Sequence, residues 1–418
     1  MKTIGNKKYL ELYYVVISLF YFLSTKNTWV FRKLYQNKDV VFEFNFLKYI
    51  FVSIFVFFTI RFFKNQLLDS FSRNILGLLL ILDFIPSSIF YSSTSDSFWQ
   101  IYLFHIILFY SLAITLKVKF KINLITFKKN QVLYFLILIT LIGTLPYLRY
   151  IKHIDLNNLL LKDVYITRIK FRELFDTYSG YTHSWFSRVI IPIIFVLALK
   201  YKLKSIAILN TILLVFLYLM GAVKSVLLGS VLVIIFYFIN KDKILPFLTK
   251  ALIFMLIFSI IMIPFVIHDR NFFGVIVFRR MMFIPQVLDY CYYDFFNNNY
   301  LYWSNSFLKG FLSYPYDTTS PRIIGEVYFN KEDMAANNGL ISDGFSNAGW
   351  IGVIITLFLF NGFMLIIKNC RIDSKFFGIY FFILYGFITT AISTVLITHG
   401  GLLLLIISFF LLREKKTN

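Results

Sequence analysis

Cysteine is nearly absent from this chain: 418 residues hold two, Cys291 and Cys370. In the topology derived below the two fall on opposite sides of a membrane, which excludes a disulfide framework and a cysteine metal cluster. Proline is also scarce, with eight residues, and no Pro/Ser-rich stretch marks off a soluble domain. The five histidines include no pair at metal-ligand spacing, so no metal is expected. No phosphate-cradling glycine loop and no internal repeat can be found, and no cofactor is expected. Acidic residues number 21 against 42 lysines and arginines, a formal charge of +21. In a soluble domain that excess points to nucleic acid, but here much of it lies in short connections between apolar runs, where it reports membrane orientation.

Hydrophobic residues make up 59% of the chain, 52 of them phenylalanine, and mean hydropathy is +0.73. The apolar runs are about as long as the ~20 residues that a bilayer-spanning helix needs. The expected fold is therefore all-α: a polytopic transmembrane helix bundle, one membrane domain over 1–418, of about twelve spans. They are placed at 9–24, 44–61, 75–91, 98–116, 131–149, 185–200, 205–220, 226–240, 247–267, 346–367, 376–398 and 402–412. The first carries Glu11 and lacks a small-residue cleavage site, so it reads as a retained helix. Basic clusters recur on one side, at Lys2, Lys7 and Lys8, at Lys117 to Lys129, at Lys200 to Lys204 and at Arg413 to Lys416. Both termini are expected to be cytoplasmic.

Two outer loops stand out by length, 150–184 and 268–345, and each is expected to carry short helices. The first contains Arg149, Lys152, Lys162, Arg168, Lys170 and Arg172, a cationic excess on the face where such charge is normally thinned. Cations at headgroup depth suit an anion, and guanidinium forks bind phosphate oxygens bidentately. Leu159 to Phe175 has the periodicity of an interfacial helix with Tyr165, Arg168 and Arg172 on one side, broken by Gly180 and Tyr181 before a span near Trp185. A solvated helix is the plain alternative. Lys224, in the turn Gly221–Ser225 between two apolar spans, needs water or a partner, or snorkels to the interface.

The second loop holds Arg270, Arg279, Arg280, Asp294, Arg322, Glu326, Asp343 and Asn347 among aromatics and glycines. Phe278 to Pro285 leads into Tyr290 to Asn299, which together read as a helix that starts at the membrane surface and ends in an asparagine-rich turn. Aromatics with Asp and Asn suit a sugar, and an interfacial aromatic belt explains them equally. If a helix begins by Asp343, then Asp343 and Asn347 share a face, while Gly349 and Gly352 permit close backbone approach by neighbours. The alternative is an N-cap aspartate with packing glycines. Within the spans, Asp83 and His105 are functional candidates by default, Glu11 and Lys48 lie close enough to span ends to snorkel, and a packing role is the commoner one for His105.

From about Val164 to Phe360 the chain resembles the Wzy-type oligosaccharide repeat-unit polymerases of O-antigen and capsule assembly. The resemblance lies in an ordered series: Val164-Tyr165 with Arg168, then Gly180-Tyr181 and Trp185 before Pro192, then Gly221 with Lys224-Ser225. Arg279 or Arg280 with Pro285 and Tyr292-Tyr293-Asp294-Phe295-Phe296 follows, then Gly325, Asn337, Gly339, Asp343, Asn347, Gly349 and Gly352. An arginine-to-glycine spacing that describes some members is missing after Arg168, Arg172, Arg270, Arg280 and Arg322.

The resemblance implies a bacterial inner-membrane glycosyltransferase with undecaprenyl-diphosphate-linked oligosaccharide as donor and acceptor, acting on the outer face, and a possible chain-length regulator as partner. Arg168, Arg280 and Asp343 are then the expected catalytic residues. Arg172, Lys224, Arg270, Arg279, Arg322, Tyr293, Glu326 and Asn347 are expected to bind the diphosphate or sugars. An O-antigen ligase and a lipid-linked oligosaccharide flippase are the rival readings; a histidine-to-glycine spacing expected of the ligase is absent after His183 and His268.

Overall fold

Long apolar runs form helices because a chain in hydrocarbon must satisfy every backbone N–H and C=O internally. A computed structural model describes residues 4–27, 43–120, 127–160, 164–265, 273–337 and 339–413. Arg270, Lys162, His268, Asn338, Lys2, Lys121, Lys415 and Lys416 lie outside the described residues. The described elements are helices, with no strand among them.

Seven helices are long and apolar enough to cross a membrane: Phe46–Asn65, Ser70–Tyr91, Lys129–His153, Thr177–Lys200, Lys204–Gly221, Lys241–Met262 and Leu340–Asn369. Shorter apolar helices are Trp99–Thr115, Val226–Phe238, Ser374–Thr389 and Gly401–Leu412. Phe51, Phe254 and Phe358 are exposed by 70% or more, an apolar surface that lipid tails would cover.

The chain divides into two compact units. One comprises 1–118, 242–364 and 387–392, and the second 119–241, 365–386 and 393–418. In the first unit the central helix is Ser70–Tyr91, buried along nearly its whole length. Asp69 caps its start by accepting from Ser72 N at 3.0 Å, and a wide π turn at Leu80–Phe84 interrupts it. Lys48, expected to snorkel, donates to Thr94 O at 2.8 Å and lies over the Tyr91 ring, so it covers the far end of that helix.

Three expectations change. In the second unit, Gly180 does not break a helix. Asp176 accepts from Ser179 N at 2.9 Å, so the new helix starts at Thr177 and runs through Gly180 into the span. The surface helix before it is also shorter than expected, Val164–Leu174. In the first unit, the segment read as a helix near the opening of the loop 268–345 is helical and packs inward. A π run, Phe273–Phe283, continues into Ile284–Phe296, and Phe278, Met282, Phe283, Asp289, Tyr290, Cys291 and Tyr292 are all buried.

The third concerns the expected spans 346–367 and 376–398. Ala348 (φ −153°, ψ 32°) and Gly349 (φ 56°, ψ −137°) interrupt Leu340–Asn369. The segment before them folds back on the one after: Thr356 Oγ1 donates to Leu340 O at 3.1 Å, and a Cβ on Gly352 would collide with Gly344 O. Gly352 therefore serves a reversal within the helix, while Gly349 leaves room for the Tyr300 ring. Helix Phe377–Thr389 stops before Thr390 and Ala391, and beyond this break Ile392 N donates to Asp343 Oδ2 at 3.0 Å. Backbone freed in an apolar interior needs such a partner.

Candidate functional site

In the second unit, Val164–Leu174 packs on Lys204–Gly221, and its Val164, Thr167 and Phe171, which recur at helical spacing, are buried. Asn158 links the two helices: its Nδ2 donates to Thr167 Oγ1 at 2.8 Å, while its carbonyl accepts from Tyr218 OH at 2.9 Å. This packing turns Arg168 toward the Gly221–Ser225 turn, where its Nη2 donates to Ala222 O at 3.1 Å.

Gly221 is required there because the His183 ring lies against it; a Cβ would come 2.6 Å from the ring. Ala222 then takes the left-handed conformation (φ 46°) that ends the helix, its N–H on Tyr218 O, and Lys224 opens the next helix two residues later. The Gly-x-x-Lys spacing thus has a local cause. Arg172 is exposed one turn beyond Arg168.

Arg188 was not among the expected site residues. It sits on the wide turn Phe186–Ile190 of the helix Thr177–Lys200. The charges of Arg168 and Arg188 act on each other, and that of Arg188 acts also on His183 and His399. Burial and the neighbouring Arg188 charge hold His399 down to about 3, so it is neutral at physiological pH. His183 Nε2 donates to Leu217 O at 2.8 Å. Trp185 Nε1 donates to Ile397 O at 2.6 Å, holding the turn that carries His399 against Arg188's helix. An arginine beside a tryptophan reads as an interfacial anchor, so only its place among other cations marks Arg188 out.

At the rim, Arg149 pairs with Asp176 at 2.6 Å, both about half exposed, a contact of small energetic weight. The N–H and hydroxyl of Ser179, with Arg149, hold Asp176 down at about 2.

The remaining expected residues that are described belong to the first unit. Arg279 is half-buried and Arg280 exposed on the π run, and Arg322 and Glu326 are exposed on Ser320–Phe329. Asp294 is exposed and accepts from Tyr328 OH at 2.6 Å. Tyr293 OH and Trp350 Nε1 both donate to Gln100 Oε1, at 2.8 and 3.2 Å.

Asp343 and Asn347 do come together, but inward. Both are buried, and Asn347 Nδ2 donates to Asp343 O at 2.8 Å and to Asp343 Oδ1 at 3.2 Å. Asn347 Oδ1 accepts from Trp303 N at 2.6 Å. With Ile392 N on the other carboxylate oxygen, the Asp343 side chain ties together the fold-back and the break at 390–391.

A second polar group in this unit is fully enclosed. His105 lies between Asp83 and Asp289, with Gln286 and Ser342 at its edges. Asp83 and His105 are visible in sequence as ionisable residues in apolar runs. Asp289 is not, because it stands in a tyrosine-rich segment that reads as a helix of the outer loop, outside the apolar runs. Comparison with protein-family models, curated proteins and solved structures finds no match for the chain.

Proposed function

We propose that the chain is a membrane glycosyltransferase that polymerises undecaprenyl-diphosphate-linked oligosaccharide repeat units on the outer face of the bacterial cytoplasmic membrane. In this reading about twelve helices cross and both termini are cytoplasmic. The observation that carries it is the gathering of Arg168 and Arg188, with Lys224 at the adjoining turn, in one unit. Two guanidinium groups held near each other at reduced dielectric repel, and a polyanion among them offsets that repulsion. A diphosphate has the oxygens to engage both forks. As the anomeric bond breaks, charge grows on the leaving diphosphate, and fixed cations stabilise it. Arg172 adds charge at the same surface.

Proton removal from the acceptor hydroxyl requires a carboxylate that substrate can reach. The carboxylate of Asp343 is buried and accepts two hydrogen bonds from its own chain, so its part is to hold the fold-back. The exposed Asp294, oriented by Tyr328, is the better base, with Glu326 next. Arg279, Arg280, Arg322 and Tyr293 keep their proposed binding roles in the second loop, whereas Asn347, buried on Asp343 and Trp303, shares the structural part of Asp343. Asp294→Asn should lower elongation by roughly 10²–10⁴-fold with unchanged thermal stability, whereas Asp343→Asn should lower both. Full activity in Asp294→Asn removes this base.

Two features favour transport as a second reading: the enclosed Asp83–His105–Asp289 group and the interrupted helix at 390–391, since transporters place polar groups and broken helices in the core. The deciding assay incubates purified protein with a defined lipid-diphosphate oligosaccharide and no ion gradient. A product ladder supports the polymerase, and unchanged substrate rejects it.

A further inference from the structure

Two carboxylates and one imidazole lie buried together in the first unit. His105 Nδ1 is 2.9 Å from Asp83 Oδ2, and its Nε2 faces Asp289 Oδ2 at 3.4 Å, off the hydrogen-bond line. Gln286 Nε2 reaches Asp83 Oδ1 at 3.4 Å, and Ser342 N donates to Asp289 Oδ1 at 3.2 Å. Each of Asp83, His105 and Asp289 is less than 5% exposed, and Gln286 and Ser342 are wholly enclosed.

We propose that Asp83, His105 and Asp289 form a buried proton-binding site, holding one proton beyond those of an imidazolium between two carboxylates. The first argument is charge. An imidazolium between two ionised carboxylates leaves one negative charge over, and a charge buried without compensation is costly. The groups that bear most on His105 and Asp289 are Asp83, Ser342 and each other, with no lysine or arginine among them. Neighbouring titratable groups face elsewhere: Tyr13 donates to Ile81 O, Tyr102 bonds Ser88, Tyr292 donates to Ala336 O, and Asp343 holds Ile392 N and Asn347.

The second argument counts hydrogen bonds. Four carboxylate oxygens and an amide oxygen meet few donors, and both His105 Nε2 and Gln286 Oε1 make no hydrogen bond. A proton on one carboxylate supplies the missing donor and removes the surplus charge in one step. A proton is also the cation that needs no room. Asp83 stands on the π turn Leu80–Phe84, an irregularity that recurs at functional sites.

The site is wired to the fold-back. Ser342 lies in the first turn of the segment that starts at Leu340, and its N–H rests on Asp289. Loading Asp289 with a proton weakens it as an acceptor, so occupancy sets how firmly that segment is held. This inference holds whether the chain polymerises or transports.

Infrared spectroscopy of the purified full-length protein tests it. At neutral pH the wild type should show the stretch of a protonated carboxyl, downshifted in heavy water. Asp83→Asn and Asp289→Asn should each abolish or shift it, His105→Gln should shift it, and Asp343→Asn should leave it. A wild-type spectrum without the band overturns the proposal whether or not the variants fold. So does a band that all three site substitutions leave in place.

Discussion

Arg188→Gln should abolish chain elongation while the protein remains inserted at normal abundance. Removing one preorganised donor to a developing oxyanion costs roughly 10²–10³-fold in rate, enough to reduce a product ladder to single additions. Arg188→Lys keeps the charge but loses the fork, so it should retain part of the activity. Arg168→Gln should behave as Arg188→Gln does, and the double variant should lose much less than the product of the two, because both act on one diphosphate. Stability separates a site from a scaffold. The melting temperature of Arg188→Gln in detergent, measured beside its product ladder, tells a lost site from a lost scaffold. Arg149, in an exposed pair with Asp176, is the control, and Arg149→Ala should elongate normally. A ladder of wild-type length from Arg188→Gln would falsify the diphosphate role. The readout is gel-resolved product length from purified protein.

Gly352→Ala should be among the most destabilising single-methyl additions in the chain. The new Cβ would meet the carbonyl oxygen of Gly344 across the fold-back, and both atoms belong to backbone that no rotamer change can move. Overpacking typically costs about 1–3 kcal/mol, and a backbone collision falls at the upper end. Gly349→Ala carries a different penalty. Its φ of 56° with ψ −137° is a conformation that side chains rarely adopt, and its Cβ would lie 2.7 Å from the Tyr300 hydroxyl. Strain of this kind costs about 1–3 kcal/mol. Gly362→Ala, at a position with open space around the added methyl, should have little effect. Thermal unfolding in detergent, compared across the three variants, checks the order. Should Gly352→Ala melt with the wild type, the fold-back is not the ground state.

Most helices fall where the apolar runs place them, since length and composition decide which segments can bury a satisfied backbone in lipid. The Phe46–Asn65 and Lys204–Gly221 helices lie within a few residues of the expected 44–61 and 205–220. Boundaries moved where a side chain overrode propensity. Asp176 starts a helix through Gly180, against the reading of Gly180 as a breaker. The site was less legible. Arg168, Lys224 and their turn carry a motif, and packing explains it, but Arg188 has no motif and gains its meaning from neighbours far away in sequence. Asp343 was legible as important: spacing placed it on a face with Asn347, while only the break at Thr390 and Ala391 shows why a carboxylate is buried there.

Hydropathy and charge in the sequence determined that this protein is helical and suited to a membrane, because those properties act within one segment at a time. Which ionisable groups meet was decided by tertiary structure alone. Asp83, His105 and Asp289 are up to about two hundred residues apart and close only when three helices pack, and the balance of charge in a buried pocket exists only once they do.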